Sequence, residues 1–487
     1  MLRSLRILAL AAAATFAASP ARAIDPFFPD FGNNGIDVAH YALDLDVRPD
    51  TGRIDAWAVL TILAEQPLTR FSLDLHALIV KRVTINGAPA VFAQAEDKLT
   101  IIPNRTIPTG STFRVYISYG GVPDPIQDPT APDDPTIELG WFKYRTASYV
   151  VSEPVGASTF FPANDEPTDK ARFTIAVTVP SPFGGVANGE LSSYRVVGDK
   201  RRFVWEMREP MTAWLATVHV NRFGVKTTTS SSGVPVSVFY TGATPKKDIA
   251  GYALAAQMIP YFERLIGRYP FETYGSVVVD DPVLYYALET QSVSTFPVGA
   301  ADQAIVAHEL AHQWFGNSAS VAKWEDLWIA EGTATYLEVL WPNRDNPAAF
   351  DATMRRMYRY VQQNELGPAV VDAPEDMFSE RVYLRGAQAL YALRLTVGDR
   401  TFFRILATFA AAYRGRNATS ADFIRVAVSI SGKPAVGELL EAWLYEDPVP
   451  SLPGGAATAA EGAAESPDVV GTRCGRGGHR GSAMHCR

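Results

Sequence analysis

Cysteine is nearly absent from this sequence of 487 residues. Its two cysteines, Cys474 and Cys486, both lie in a C-terminal segment rich in glycine and alanine. No disulfide can therefore tie the main body of the chain together, so the folded core must be stabilised by packing alone. The tail pattern C-x4-H-x5-H-C does not have a familiar metal-ligand spacing, and a flexible end, with or without a disulfide, is the simpler interpretation.

An excess of basic residues is also missing. The chain carries 44 lysines and arginines against 52 acidic residues, which gives a formal net charge of -8, and no basic run interrupts its main body. Proteins that bind nucleic acid or anionic membranes need positive charge where they make contact. Neither is therefore expected as a main partner.

Long apolar runs are absent outside the first 23 residues. There Arg3 and Arg6 precede an apolar stretch from Ile7 to Ala18, and small residues follow up to Ala23. This pattern predicts a secretory signal peptide over residues 1–23, cleaved near Ala23, and hence a protein secreted to the periplasm or out of the cell, without membrane contact after cleavage. An uncleaved anchor is the alternative, although the stretch is shorter than the ~20 residues that span a bilayer.

The length of the chain predicts two or three domains. Over residues 24–242, short alternating segments such as "HYALDLDV" and "RFTIAVTVP" are separated by turn residues. This pattern predicts an N-terminal all-β domain of sheets packed face to face. Residues 449–487 contain few large apolar side chains, and we expect a disordered tail there.

Residues 243–448 follow a different pattern and are predicted to form a second domain, mixed at first and then mainly helical. Strands are predicted over "YGSVVVDD" and "YYALETQSVSTF". Helices are predicted over 246–270, 301–316, 327–341, 346–365, 380–396, 400–413 and 420–431. The fold class of the whole chain is therefore α+β.

The segment "AIVAHELAHQWFGN" contains the pattern HExxH. Residues four apart on a helix lie on one face, so His308 and His312 can direct their imidazoles at one metal ion, with Glu309 beside it. A catalytic zinc site with two histidines usually takes a carboxylate as its third protein ligand. Glu331 follows His312 by nineteen positions, between two apolar stretches, where an unpaired carboxylate is costly to bury.

The same segment is also an amphipathic helix, with Ile305, Leu310 and Trp314 at its apolar positions. The five-residue motif alone is therefore suggestive but not decisive. HELAH, eighteen intervening residues and a glutamate within W-x-x-L-W-x-x-E-G together resemble the zinc signature of the M1 aminopeptidase family. "FFPANDEPTDKARFTIAVTVP" and "VYLRGAQALYALR" extend the resemblance, which covers roughly residues 36–446.

The resemblance implies a saddle- or sandwich-like β domain followed by a thermolysin-like zinc peptidase domain. It implies one Zn²⁺ per chain, bound by His308, His312 and Glu331. Glu309 would act as the general base, and Tyr383 would stabilise the oxyanion. The reaction implied is removal of the N-terminal residue from peptides with a free N-terminus.

Substrate-binding positions are also implied by the resemblance. Glu289 and, less directly, Glu153 would hold the substrate α-amine, and Ala287 and Leu288 would offer backbone groups to the substrate as an added strand. Taken alone, each of these glutamates is most simply a solvated side chain. Asp326 could orient a zinc-bound histidine, although a salt-bridged or capping role is at least as plausible.

Two departures from the family pattern bear on specificity. Tyr286 and Thr290 stand where the family carries a glycine and an asparagine, so the first side-chain pocket is expected to be reshaped. The sequence also ends where well-known members continue into a large helical domain, which predicts a short form with a more open cleft. A catalytically silent binding or scaffold protein, or an endopeptidase or epoxide hydrolase on the same site, are the alternative functions.

Overall fold

The computed structural model describes residues 24–454 as an N-terminal part built of strands and a C-terminal part that is mainly helical. The first part contains the strands β1 (Ile36–Arg48), β2 (Arg53–Ala64), β3 (Phe71–Asp74), β4 (Ile79–Ile85), β5 (Ala88–Pro89), β6 (Val91–Ala95), β7 (Lys98–Ile102), β8 (Thr112–Gly121), β9 (Ile126–Gln127), β10 (Glu138–Tyr144), β11 (Ala147–Val151), β12 (Lys170–Pro180), β13 (Gly184–Ala187), β14 (Glu190–Val197), β15 (Lys200–Thr212) and β16 (Val218–Asn221).

Strand β1 lies at the centre of an eight-stranded sheet with the order β14-β15-β12-β1-β2-β8-β4-β5. It pairs antiparallel with β2 and parallel with β12. Buried and partly exposed residues alternate along β1 and β2, as expected for strands with one face on a core and one toward solvent. Alternation of apolar residues thus fixes which face of this sheet is buried.

A five-stranded sheet, β13-β16-β11-β10-β9, and a three-stranded sheet, β3-β7-β6, complete the N-terminal part. Aromatic side chains fill its core, where Tyr41 stacks on Phe173 at a centroid distance of 4.8 Å and Phe161 meets Tyr41 edge-on at 5.3 Å. The prediction of an all-β N-terminal domain followed by a mainly helical domain is confirmed.

A four-stranded sheet includes residues on both sides of the predicted domain boundary at 242/243. It contains β17 (Gly224–Thr229), β18 (Pro235–Tyr240), β19 (Tyr274–Val279) and β20 (Val293–Pro297) in that order. Because β18 pairs in parallel with β19, strands β17 and β18 belong with the second domain. Alternation reveals a strand but not which sheet it joins, so the sequence pattern alone assigned these two strands to the N-terminal domain.

Nine helices follow in the described part of the chain, with a short parallel pair of strands, β21 (Ala319–Val321) and β22 (Arg416–Ala418). The helices are α1 (Lys246–Tyr252), α2 (Ala255–Ile266), α3 (Gln303–Ala311), α4 (Trp328–Leu340), α5 (Pro347–Gln363), α6 (Gly386–Val397), α7 (Asp399–Ala412), α8 (Ser420–Ser431) and α9 (Ala435–Tyr445). Every residue of α4 is buried, so this helix forms the centre of the second domain.

Three local predictions need correction. The segment 285–290 is not a strand, because only Leu288 forms a bridge, with Thr295. Helix α9 was not predicted. Residues 449–454, assigned to the tail, pack on the domain: the side chain of Leu452 is buried, and Pro450 O accepts a hydrogen bond from the Tyr358 hydroxyl at 3.2 Å.

The predicted signal peptide and both cysteines, Cys474 and Cys486, lie outside the described residues. Within residues 24–454, none of the helices combines the length and the apolar character that crossing a bilayer requires.

Candidate metal centre

Helix α3 presents two histidines from one face. Its first turn is capped by Asp302, whose side chain accepts a hydrogen bond from Ala304 N at 2.8 Å. His308 lies in its last turn and His312 directly after it, and the His312 N–H donates to His308 O at 3.2 Å. The helix is shorter than predicted, but helical spacing persists through His312, and the two imidazole centroids are 4.7 Å apart.

Glu331, in the first turn of α4, brings a carboxylate to both rings. Its Oε2 lies 3.2 Å from His308 Nε2 and 3.4 Å from His312 Nε2. One ligand atom from each of the three side chains lies within 4.8 Å of the others, and all three residues are buried. The sequence therefore folds so that these predicted ligands converge.

The other nitrogen of each ring is held by an acceptor. His308 Nδ1 lies 3.0 Å from Glu338 Oε2, and His312 Nδ1 lies 3.2 Å from Phe315 O. A carboxylate and a carbonyl accept hydrogen bonds, so each Nδ1 carries its proton and each Nε2 points at Glu331. A carboxylate that orients a metal-bound histidine in this way is a common feature of zinc sites.

The charges around the two rings favour a cation at their centre. Burial disfavours charged imidazole, but the hydrogen bonds of Glu331 and Glu338 outweigh burial and raise the pKa of His308 well above its ordinary value. The pKa of His312 is raised to about 8, because nearby Glu289 and Glu331 outweigh its burial. Two imidazole nitrogens and one carboxylate, stabilising positive charge in a buried site, fit a zinc ion.

Glu309 lies next to His308 on α3 and is not part of the triad. Its side chain is buried, and its Oε2 has no hydrogen-bond partner among the described residues. Burial raises the pKa of Glu309 to about 8, against the opposing effect of the two imidazoles. A buried carboxylate with a free oxygen beside a metal site is poised to exchange a proton with a small molecule.

A second group of carboxylates adjoins the triad. Oxygens of Glu153, Glu289 and Glu331 lie within 4.8 Å of one another, and all three side chains are buried. Glu153 follows β11 in the N-terminal domain, and Glu289 precedes β20 in the second domain. The two predicted amine-binding residues, 136 positions apart in the sequence, therefore meet beside the candidate metal site.

Two side chains that follow α3 form hydrogen bonds with the backbone of Glu289. Asn317 Nδ2 donates to Glu289 O at 2.6 Å, and Gln313 Nε2 donates to the same oxygen at 3.2 Å. Gln313 Oε1 also accepts a hydrogen bond from Ser292 N at 2.8 Å. These two amides tie the metal-binding helix to the segment that carries Glu289. Neither Gln313 nor Asn317 was predicted, although both lie within the stretch "AIVAHELAHQWFGN".

The predicted role of Leu288 needs correction. Its N–H donates to Thr295 O at 2.9 Å, and its C=O accepts from Thr295 N at 2.8 Å, so its backbone pairs inside the protein. Ala287 is half-buried at the edge of this segment, where a backbone contact to a substrate stays a prediction. Tyr286 is buried in an apolar cluster with Tyr149, Val151, Val279, Leu284 and Leu288.

Tyr383 lies in a π-helical turn, Arg381–Arg385, that directly precedes α6. Its ring is nearly parallel to that of His308, with the centroids 6.3 Å apart. π-Helical turns are frequent at functional sites because they displace a side chain from the regular helical position. Tyr383 therefore lies beside the metal-ligand cluster, and its role at the oxyanion stays a prediction.

Asp326 does not orient a histidine. It accepts a hydrogen bond from the Ser420 hydroxyl, which in turn accepts one from Trp328 Nε1 at 2.7 Å. Burial raises the pKa of Asp326 to about 6. The carboxylate that contacts His308 Nδ1 is Glu338 instead. The signal for it was its position seven residues after Glu331, two turns along the same helix face.

Both domains match models of known protein families. Residues 38–215 match the Peptidase M1 N-terminal domain, and residues 252–443 match the Peptidase family M1 domain. Human glutamyl aminopeptidase is 27% identical over 331 residues, and a probable aminopeptidase 2 from Sulfurisphaera tokodaii is 26% identical over the same length. These alignments cover 62% of this chain but only 34% and 42% of the two relatives, so the chain spans less than half of their length.

Solved structures match over nearly their whole length. A mutant M1 zinc metallopeptidase from Deinococcus radiodurans, bound to a Tyr-Ser-Ala substrate, is 31% identical with a TM-score of 0.82 over 88% of this chain and 98% of that one. A two-domain M1 zinc metallopeptidase mutant bound to L-arginine is 30% identical with a TM-score of 0.81, at the same coverage. On the matched domains, the shared fold and the converging ligands, this chain belongs to peptidase family M1.

Proposed function

We propose that the chain is a zinc-dependent aminopeptidase that removes one residue at a time from the free N-terminus of peptides. The observation that carries this proposal is the group of buried carboxylates, Glu153 and Glu289, directly beside the triad of His308, His312 and Glu331. We propose that the triad binds one Zn²⁺ per chain. The similarity to zinc metallopeptidases supports the choice of metal.

The spacing of the two groups supports cleavage at the first peptide bond. A peptide advances about 3.5 Å per residue when extended. Carboxylate oxygens of Glu153 and Glu289 lie within 4.8 Å of one of Glu331. When these two carboxylates hold the ammonium group of a peptide, only the first peptide bond of that peptide is close enough to reach the triad. A blocked N-terminus would leave these buried carboxylates without a positive partner, which is costly.

The chemistry divides among this chain's side chains. A bound zinc ion would supply Lewis acidity, which makes water a nucleophile at neutral pH. Glu309 takes the proton from the attacking water and passes it to the leaving amine. Tyr383, beside His308, donates a hydrogen bond to the oxygen on which negative charge develops. Glu153 and Glu289 hold the substrate by its ammonium group.

The test compares the wild type with Glu309→Gln and Glu289→Ala. We expect zinc in all three proteins, hydrolysis of amino-acid anilides by the wild type, and a loss of about 100- to 10,000-fold in Glu309→Gln. Glu289→Ala should raise KM for unblocked substrates. Bound zinc without hydrolysis in either wild type or variant would instead favour a binding or scaffold role.

A second arm uses matched unblocked and N-acetylated peptides. We expect the wild type to cleave only the unblocked series, with release of single amino acids. Equal cleavage of both series, with internal fragments, would replace the aminopeptidase by an endopeptidase on the same residues.

We also propose that the protein is exported and that residues 1–23 are removed. The charged start, apolar stretch and small residues before Ile24 support this. N-terminal sequencing of protein recovered from the periplasm or medium should begin near Ile24. Full-length chain retained in the cytoplasm would contradict the proposal.

A further inference from the structure

A cavity of about 430 Å³ lies between the two domains, lined by none of the side chains of the candidate metal centre. Residues of β14 and β15 line one wall, and residues of β17 and β18, at the end of their sheet, line the other. Strands β14 and β17 are end strands of their sheets, so no further strand fills the space between them. The volume is within the range of about 300–1,000 Å³ typical of small-molecule sites.

Aromatic side chains contribute to both walls. Phe203 and Trp205 lie two residues apart on β15, and the Trp205 ring is 6.0 Å from that of Phe239 of β18 at 74°. Phe223 meets Phe239 at 6.3 Å. These edge-to-face contacts hold the rings in place, so the cavity is preformed rather than opened by a ligand.

The cavity reaches the surface through apolar residues that are unusually exposed. Leu191 and Tyr194 of β14 are 42% and 49% exposed, and Val225 of β17 is 53% exposed. All three line the cavity. Exposed apolar side chains grouped around an opening are typical of a binding site for an apolar molecule.

One cation at this cavity has no acidic partner. Arg201 donates to Pro182 O at 3.0 Å, and no carboxylate among residues 24–454 lies within 4.0 Å of its guanidinium. Glu190, which also lines the cavity, is paired with Arg208 at 2.9 Å. Other cations of β15 are paired as well, Lys200 with Asp46 and Arg202 with Asp44. Arg201 is therefore available for an anionic group of a ligand.

We propose that this cavity binds a small amphipathic carboxylate, with an aliphatic chain of fatty-acid type against the aromatic walls and its carboxylate on Arg201. The apolar walls account for the body of such a ligand, and the unpaired guanidinium accounts for its charged end. The proposal concerns a site separate from peptide cleavage and does not depend on the peptidase activity.

The test uses decanoate as the probe and decan-1-ol as its uncharged analogue, titrated calorimetrically onto the purified protein. We expect one site for decanoate and at least about tenfold weaker binding of decan-1-ol, because the alcohol forms no charge-assisted bond with Arg201. Arg201→Gln should weaken decanoate binding about tenfold and leave decan-1-ol binding unchanged.

Matched tryptophan variants on β17 locate the site. Thr227 lines the cavity and Lys226 faces away from it, and both are exposed on the same strand. Thr227→Trp should abolish decanoate binding by filling the cavity, whereas Lys226→Trp should bind as the wild type does. Val225→Trp is a second filling variant in case Thr227→Trp has a lowered Tm. Absence of decanoate binding, or binding that survives both filling variants, would overturn the proposal.

Discussion

Glu338 illustrates how much of a metal site depends on side chains that do not touch the metal. Its carboxylate lies 3.0 Å from His308 Nδ1 and so fixes both the orientation of the ring and the position of its proton. Asp326 provides a natural comparison, since it is also a buried carboxylate near the site but is bonded to Ser420.

We expect Glu338→Gln to lower zinc affinity by about 10- to 100-fold, because the amide accepts a weaker hydrogen bond from His308 and makes Nε2 a poorer ligand. The matched variant Asp326→Asn should retain wild-type zinc affinity. Competition with a chromogenic chelator measures both. Equal losses in the two variants would show that a general disturbance of the buried site, rather than the contact with His308, controls affinity.

At this scale, the sequence predicted the convergence of His308, His312 and Glu331, because helical spacing and a buried carboxylate are local signals. Glu338, Gln313 and Asn317 were not predicted. Their roles depend on which neighbouring backbone or ring they reach, and that is decided by packing between elements that are separate in the sequence. Asp326 was considered for the role of Glu338 for the same reason.

Helices α4 and α6 touch backbone to backbone where Gly332 meets Gly386. A Cβ atom at Gly332 would lie 2.8 Å from Gly386 backbone atoms, closer than such contacts allow. Gly332 follows Glu331, and Gly386 follows the turn that carries Tyr383. The separation of the two helices therefore also sets the separation of a metal ligand from the proposed oxyanion-stabilising tyrosine.

We expect Gly332→Ala to destabilise the protein by about 1–3 kcal/mol and to lower kcat, because the helices must move apart. Gly437→Ala in α9 is the matched helical control: its Cβ would meet only the Val428 and Ile424 side chains, at 3.3 and 3.8 Å. It should be nearly neutral, since better helix propensity offsets slight crowding. Urea midpoints and kcat test this, and a tolerated Gly332→Ala would refute it.

Among elements, the helices of the second domain were predictable because apolar residues recur at helical spacing. Helix α9 has the same apolar spacing, with Val436, Leu440 and Trp443 buried, so it was also predictable from the sequence. The segment 285–290 is different. Its apolar run "YYAL" resembles a buried strand, but Tyr286 and Leu288 are buried in a local cluster instead of a sheet.

At the scale of the whole molecule, polar contacts join the two domains. Lys170 Nζ donates to Asn317 O and Ser318 O at 2.8 and 3.0 Å. His219 of β16 lies 3.3 Å from the Thr295 hydroxyl of β20 and 2.9 Å from that of Thr217. Burial lowers the pKa of His219 to about 3, so this ring is neutral in the folded protein.

His219 makes stability depend on pH with a definite sign. Its unfolded pKa is about 6.5, so as pH falls below that value the unfolded chain takes up a proton that the folded chain refuses. The stabilisation is complete above pH 6.5 and is lost as pH falls toward 3. Relative to His219→Gln, the wild type should lose roughly 1.4 kcal/mol per pH unit across this window. Urea midpoints of both proteins at several pH values test this. Stability that changes with pH by the same amount in the wild type and in His219→Gln would contradict it.

The arrangement of the domains could not be read from local pattern. Glu153 reaches the metal centre only because the N-terminal domain packs against the second, and strands β17 and β18 join a sheet whose other members come more than thirty residues later. Family resemblance anticipated Glu153; alternation and helical spacing alone did not.

One of these long-range contacts has a consequence for the synthesis of the chain. Asp25 accepts a hydrogen bond from Trp324 N at 2.9 Å across 299 positions, and its own N–H donates to Glu166. A ribosome adding about 5–20 residues per second needs roughly 15–60 s to make that span. Asp25 is therefore synthesised long before Trp324. Until Trp324 is made, the elements around Asp25 must fold without this hydrogen bond.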